Sequence, residues 1–337
     1  MSSNILICDD SGVARKQLAK FLPTDWEVTL YFAENGEEAL NKLESEDIFL
    51  MFLDLNMPVL DGYQTLEKMQ QISLDTKVIV VSGDIQAQAM ERVMSLGAID
   101  FLKKPATREQ IKENLIKNDL YSAGDEAKGV QSAESTNNAF SLHDCLQEVS
   151  NVAMGKAASV LADMLGVFIQ LPVPNVNKLE VSELQMALGY KGISNRYSAV
   201  SQGFVSMGIA LEALLVFSDS SFTDMAELLG YEEALDDHSE IELLMDGSSA
   251  LVGPFIFALG KQLNIDFSGS HPVILGHHVR NDHLIDRNKT TWKKTLAVEI
   301  PYQIENYQVS CDLILLFTED SIEALESLLS YLTEDEL

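Results

Sequence analysis

The sequence predicts two linked folds: a doubly wound, parallel α/β sheet in its first third and an α+β domain built from two copies of one unit in the rest. Three observations carry this. Short apolar runs alternate with amphipathic helical patterns over residues 1–122, a polar and aperiodic stretch follows at 123–139, and residues 214–229 and 313–329 read as one strand, turn and helix written twice. The 337 residues are enough for two hydrophobic cores.

Composition narrows the function classes. An apolar share of 46% against 22% charged residues is that of ordinary globular protein. No signal-peptide pattern opens the chain and no unbroken apolar run reaches the ~18 residues of a membrane span, so a cytoplasmic location is expected. A formal net charge of −29 is repelled by phosphate backbones and anionic bilayers, which argues against nucleic acid and membranes as partners. Cys8, Cys145 and Cys311 are scattered through apolar runs without CxxC spacing and are expected as small core residues.

In order along the first third, "NILICDD" ends at Asp9 and Asp10, "DIFLMFLDLNMP" carries Asp54, "KVIVVSGD" ends at Ser82 and "AIDFLKKP" ends at Lys104. The runs are continuous rather than alternating, as in strands covered on both faces. Helical patterns such as "GVARKQLAKFL" and "NGEEALNKLES" lie between them, and βα repetition of this kind makes a parallel sheet. In such sheets sites form at the carboxyl ends of the strands, where all of these polar residues fall. Three converging carboxylates need a counter-charge. A hard divalent cation, Mg2+, supplies it through oxygen ligands, and Lys104 adds a second positive charge. A carboxylate beside Mg2+ and lysine is arranged to attack a phosphoryl group and hold the acyl phosphate.

These residues, with "ILICDDS", "DLNMPVLDG", "VVSGD" and "FLKKP", resemble the receiver domain of two-component response regulators over about 120 residues. The resemblance implies a flavodoxin-like (CheY-like) five-stranded sheet of order 2-1-3-4-5. It implies Asp54 as phospho-acceptor, and Asp9, Asp10, Asp54 and the backbone carbonyl of Asn56 as the Mg2+ site. Lys104 takes the phosphate-side position, Ser82 the switch hydroxyl and Phe101 the switch aromatic. A histidine kinase is the implied phosphodonor.

Residues 123–139 read as a flexible linker. Beyond it, "LLVFSDSSFTDMAELL" and "LILLFTEDSIEALESLL" superpose with Phe217 on Phe317 and Ser221 on Ser321, which argues for an internal duplication with repeats near 140–236 and 237–337. Each copy reads as a long helix, strands in antiparallel hairpins and a shorter helix. In the first long helix Asp144, Glu148 and Asn151 fall on one stripe that continues through Gly155, Ala158 and Ala162. That stripe is expected to face outward, opposite a buried face of Leu142, Leu146, Val149, Ala153 and Val160.

The spacing Asp144-x3-Glu148-x2-Asn151-x22-Pro174 resembles the signature of the CheC/CheX/FliY family of CheY-phosphate phosphatases, and the likeness extends over about 140–337. It implies that Asn151 orients a water in line with an aspartyl phosphate while Glu148 pairs with a receiver's phosphate-site lysine. The substrate would be a CheY-like receiver, in trans or as the chain's own Asp54 in cis, with chemotaxis or flagellar components as further partners. Asp54 phosphorylation would tune the activity. The equivalent Glu242, Asp246, Ser249 and Pro272 look degenerate: Asp246 is a methylene short of glutamate, and Ser249 offers one rotating hydroxyl. Gly253–Pro254 costs about 3 kcal/mol and is expected to kink that helix, while Ile256 and Phe257 crowd its small face. One working site is expected. The alternative is a non-catalytic regulator whose second domain is a phospho-dependent binding module. "HPVILGHHVRNDH" holds His271, His277, His278 and His283 at spacings that match no standard zinc pattern, and a surface hairpin is expected there.

Overall fold

The apolar run Ser3–Cys8 forms β1 at the middle of a parallel sheet, paired on one side with β2 (Val28–Ala33) and on the other with β3 (Ile48–Leu53). β4 (Lys77–Ser82) and β5 (Asp100–Lys103) extend it, so the five main strands run β5-β4-β3-β1-β2. The expected doubly wound order is present. In this computed structural model the described residues are 3–72, 75–122, 131–132, 140–179, 196–231, 235–280 and 295–332. Most of the expected linker, 123–139, lies outside them. Gln131–Ser132 form β6, which pairs in parallel with β2.

The chain divides into two compact units, Met1–Glu148 and Val149–Leu337. In the first, burial on both faces explains the continuous apolar runs. Ile5 and Ile7 point into one cluster with Leu30 and Phe52, whereas Leu6 and Cys8 point into another with Leu53 and Val80. The helices begin just past the strand ends on short polar caps. Ser11 caps α1 (Gly12–Phe21), Asn35 caps α2 (Gly36–Ser45), Asp61 caps α3 (Gly62–Gln71) and Thr107 caps α5 (Arg108–Lys117). The remaining helix, α4, is Ala87–Ser95. At Gly62 a Cβ would lie 2.3 Å from the carbonyl oxygen of Asp54, so glycine allows α3 to press against the loop that carries Asp54.

The second unit is an eight-stranded sheet with the predicted internal symmetry. Its strands are β7 (Ile169–Gln170), β8 (Asn175–Leu179), β9 (Arg196–Ser206), β10 (Ile209–Ser218), β11 (Ser268–Gly269), β12 (Val273–Arg280), β13 (Thr295–Ile304) and β14 (Ser310–Phe317). Antiparallel β10 and β14 form the centre; β9 with β11 and β12 flanks one side, and β13 with β7 and β8 flanks the other. Leu214 pairs with Ile314, Phe217 with Cys311, and Leu211 with Phe317. Adding the repeat offset exchanges the last two pairs and maps the first onto itself, as a pseudo-twofold axis through the Leu214–Ile314 pair requires. The β9–β10 hairpin turns on Met207 and Gly208, both at positive φ, which suits a two-residue turn.

Each copy also has a long helix, α6 (Leu142–Leu165) or α8 (Asp237–Leu263), and a short one, α7 (Phe222–Leu228) or α9 (Ser321–Leu329). Helix α6 starts in the first unit and continues in the second. Its face assignment needs correction. Glu148, Asn151, Gly155 and Ala158 are buried, and Val160 is 55% exposed. With Ala, Gly, Ser and Met all round, apolar periodicity did not identify the covered side.

Helix α8 runs continuously through Pro254. Leu251, Val252, Phe255 and Ile256, buried on both sides of the proline, hold the two halves in the core and offset its poor propensity. Phe257 is 66% exposed, with the Lys261 ammonium over its ring. Helix α8 is long and apolar enough to cross a membrane, but 61% of its most apolar stretch is buried within the protein.

Candidate functional site

The strand ends of the first unit converge as the residue types suggest. Asp9 follows β1, Asp54 follows β3, Ser82 ends β4 and Lys104 follows β5. One ligand oxygen from each of Asp9, Asp10 and Asp54 can be chosen so that all lie within 4.8 Å of one another. Lys104 Nζ stands 2.6 Å from Asp9 Oδ2 and 3.3 Å from Asp54 Oδ1. The amide of Asn56 donates to Asp54 Oδ2 at 3.1 Å.

The electrostatics show how crowded this charge is. Burial, then the neighbouring Asp9, pushes the Asp10 carboxyl up to about 7. Burial also raises Asp54 well above the usual carboxylate range, against the pull of Lys104. For Lys104, desolvation alone would lower the pKa, but Asp54, Asp9 and Glu148 together carry it well above the ordinary ammonium value. An all-oxygen donor set with excess negative charge, offset among the described residues by the Lys104 ammonium, fits a hard divalent cation of the Mg2+ kind.

Glu148 belongs to the first unit, and its Oε1 lies 3.8 Å from Lys104 Nζ. Burial raises its pKa, with Lys104 acting in the opposite direction. Phe140, just ahead of α6, packs on Gly12, and Lys16 lies over its ring at 5.6 Å. One turn beyond Glu148, Asn151 is 4% exposed, and its Oδ1 has no hydrogen-bond partner among the described residues.

Other predicted positions have more local roles. Asp144 accepts from both the amide and the hydroxyl of Ser141, at 2.9 and 2.8 Å, and so closes the N-terminus of α6. Pro174 and Pro272 each sit immediately before the corresponding strand, β8 or β12. In the second copy Glu242, Asp246 and Ser249 are exposed. Asp246 accepts from Tyr231, and Ser249 donates back to the carbonyl of Met245. Phe101 is half-buried against the core on the α3 and α4 side.

Two supporting groups were not singled out from sequence. Arg15 donates to the carbonyls of Asp9 and Asp10 at 2.6 and 3.2 Å, holding the acidic pair; an arginine one turn into the following helix was the available signal. Asp84 follows Ser82, whose hydroxyl accepts the Asp84 amide at 3.1 Å. Burial pushes the Asp84 carboxyl up to about 6 despite hydrogen bonds from Gln86 and Tyr63.

A carboxyl raised on folding holds its proton more tightly in the native state. Its contribution therefore favours folding at low pH and is lost as pH rises from about 4 through about 6. Asp84→Asn is expected to remove up to about 3 kcal/mol of that pH dependence. Urea unfolding of both proteins at pH 4 and pH 7 measures it; an unchanged slope would assign the titration to other groups.

Residues 5–116 match the family model of the response regulator receiver domain. A Dictyostelium discoideum protein, hybrid signal transduction histidine kinase E, is 36% identical over 121 residues, covering 34% of this chain and 7% of that one. A Geobacter sulfurreducens protein-glutamate methylesterase/protein-glutamine glutaminase is 33% identical over 118 residues, covering 35% of this chain and 32% of its own. The chain thus spans a third or less of the length of these curated relatives. Among solved structures, Thermotoga maritima FliY matches over 59% of this chain and 98% of its own, at 19% identity and a TM-score of 0.42.

The sheet order, the carboxylate–lysine cluster and the family match define the N-terminal unit as a CheY-like receiver domain of the two-component signalling type. The remainder is a mixed α/β domain.

Proposed function

We propose that this protein is a cytoplasmic signalling phosphatase with a built-in receiver, hydrolysing aspartyl phosphate on a CheY-like receiver domain. A histidine kinase supplies the phosphoryl group to Asp54. Asp9, Asp10, Asp54 and the Asn56 carbonyl hold Mg2+, which when bound neutralises charge on the phosphoryl oxygens. Lys104 adds a second positive charge. A water hydrogen-bonded to the Asn151 amide is then positioned to attack phosphorus; the phosphorus–oxygen bond to the aspartate breaks, and the carboxylate leaves with the electron pair while both protons of the water remain with the phosphate. Glu148 sets the register by pairing with the receiver lysine.

The observation that carries this reading is the 3.8 Å approach of Glu148 to Lys104 within one compact unit. It favours the chain's own Asp54 as a substrate, since a tethered site acts at high effective concentration. The test is phosphate release from phosphorylated full chain across a range of protein concentrations, with and without a separate phosphorylated CheY-like receiver. A first-order rate independent of concentration, slowed roughly 10-fold or more by Glu148→Ala, is expected for hydrolysis in cis. Acceleration of only the added receiver would assign the activity in trans. No acceleration of either would leave the second domain a phospho-dependent binding module.

A further inference from the structure

We propose that the second copy of the duplicated domain holds a site for a divalent transition metal of the zinc class, formed by Glu240, His277 and His278 with Asp219 behind His278. In a regular strand His277 and His278 would face opposite sides of the sheet. Strand β12 does not run regularly here: its pairing with β9 steps from Gly276–Ala199 to Val279–Tyr197, inserting one residue, and His278 takes φ +52°. A bulge of this kind re-aims side chains. Both rings turn the same way, with centroids 3.9 Å apart and planes tilted by 36°.

The two Nε2 atoms aim at one oxygen, Oε2 of Glu240 in the first turn of α8, at 3.0 Å from His277 and 2.7 Å from His278. Donor atoms of all three residues lie within 4.8 Å of one another. Ligands about 2.0–2.2 Å from a tetrahedral zinc stand roughly 3.3 Å apart, so a few tenths of an ångström of spreading seats the ion. His278 Nδ1 is paired with Asp219 Oδ2 at 2.8 Å, which orients the ring and leaves Nε2 for metal, as in a carboxylate–histidine–metal relay. The Phe222 ring stands at 5.7–6.0 Å from both imidazoles and gives the cluster an apolar wall.

Imidazole donors select zinc, cobalt or nickel over Mg2+, so this site and the receiver's acidic cluster sort their ions by chemistry. With three protein ligands a fourth position remains for water. The first copy carries Leu142 and Leu179 where the second has Glu240 and His277, so the site belongs to one copy alone.

The test is zinc binding by metal-free full-length protein in excess Mg2+, followed by Co2+ spectroscopy. One zinc equivalent is expected at micromolar concentration. Glu240→Gln and His277→Ala should lose it, Asp219→Asn should weaken it about 10- to 100-fold, and Asp54→Asn should keep it. Circular dichroism checks that the variants fold. Substituted Co2+ in wild type should give visible bands of a four-coordinate nitrogen and oxygen set without thiolate charge transfer. This readout stands even if a variant misfolds. No zinc uptake by folded wild type, or uptake that survives Glu240→Gln, would overturn the site and identify the cluster as an ion-paired latch.

Discussion

Phosphorylated full-length protein carrying Asn151→Ala is expected to keep its phosphate about 100-fold longer than wild type, the scale of losing one positioning group at a reacting centre. The phosphorylated receiver already has charge neutralisation and a reactive acyl phosphate, so a water held in line is the missing component. An amide can donate one hydrogen bond and accept another, which fixes both the position and the orientation of that water. Asn151 is buried with its carbonyl oxygen unpartnered among the described residues. Such a group costs about 1–3 kcal/mol in the fold. The variant should therefore unfold at the same urea concentration as wild type or higher, which separates lost chemistry from lost structure. Phosphate release and urea unfolding check both halves. An unchanged rate of release would sink the water-orienting role.

The second large effect is at Asp54. Asp54→Asn is expected to take up no phosphoryl group from a small-molecule donor such as acetyl phosphate, whereas wild type takes up label at Asp54 and then releases it. The amide lacks the nucleophilic carboxylate oxygen. The charge crowding around Asp9 and Asp10 also falls in this variant, because Asp54 is one of three carboxylates with donor oxygens within 4.8 Å. Lys104 keeps its 2.6 Å partner, Asp9. Loss of labelling with unchanged folding identifies Asp54 as the acceptor. Persistent labelling would move the acceptor elsewhere.

The receiver site was legible because each of its residues terminates an apolar run, and parallel strands bring their carboxyl ends to one edge. Asp9, Asp54 and Lys104 needed no further information. The duplication was legible too, since Phe217 and Phe317 repeat a strand–turn–helix at one offset, and the Leu214–Ile314 pair marks the axis that this repeat implies. Val160 lies on the exposed side because apolar periodicity is weak where surrounding packing decides which face is covered.

The sequence by itself determined the receiver, its acidic trio and lysine, the repeated second domain and the Glu148–Asn151 spacing. These follow from local periodicity and strand ends, which are properties of neighbouring residues. Only the tertiary structure decided that Glu148 meets Lys104, that Asn151 is buried, and that His277 and His278 converge on Glu240 from 37 and 38 residues away. A charge partner, a buried face and a bulge that turns two adjacent rings to one side depend on chain segments far apart in sequence, and no linear pattern records where those segments come to rest.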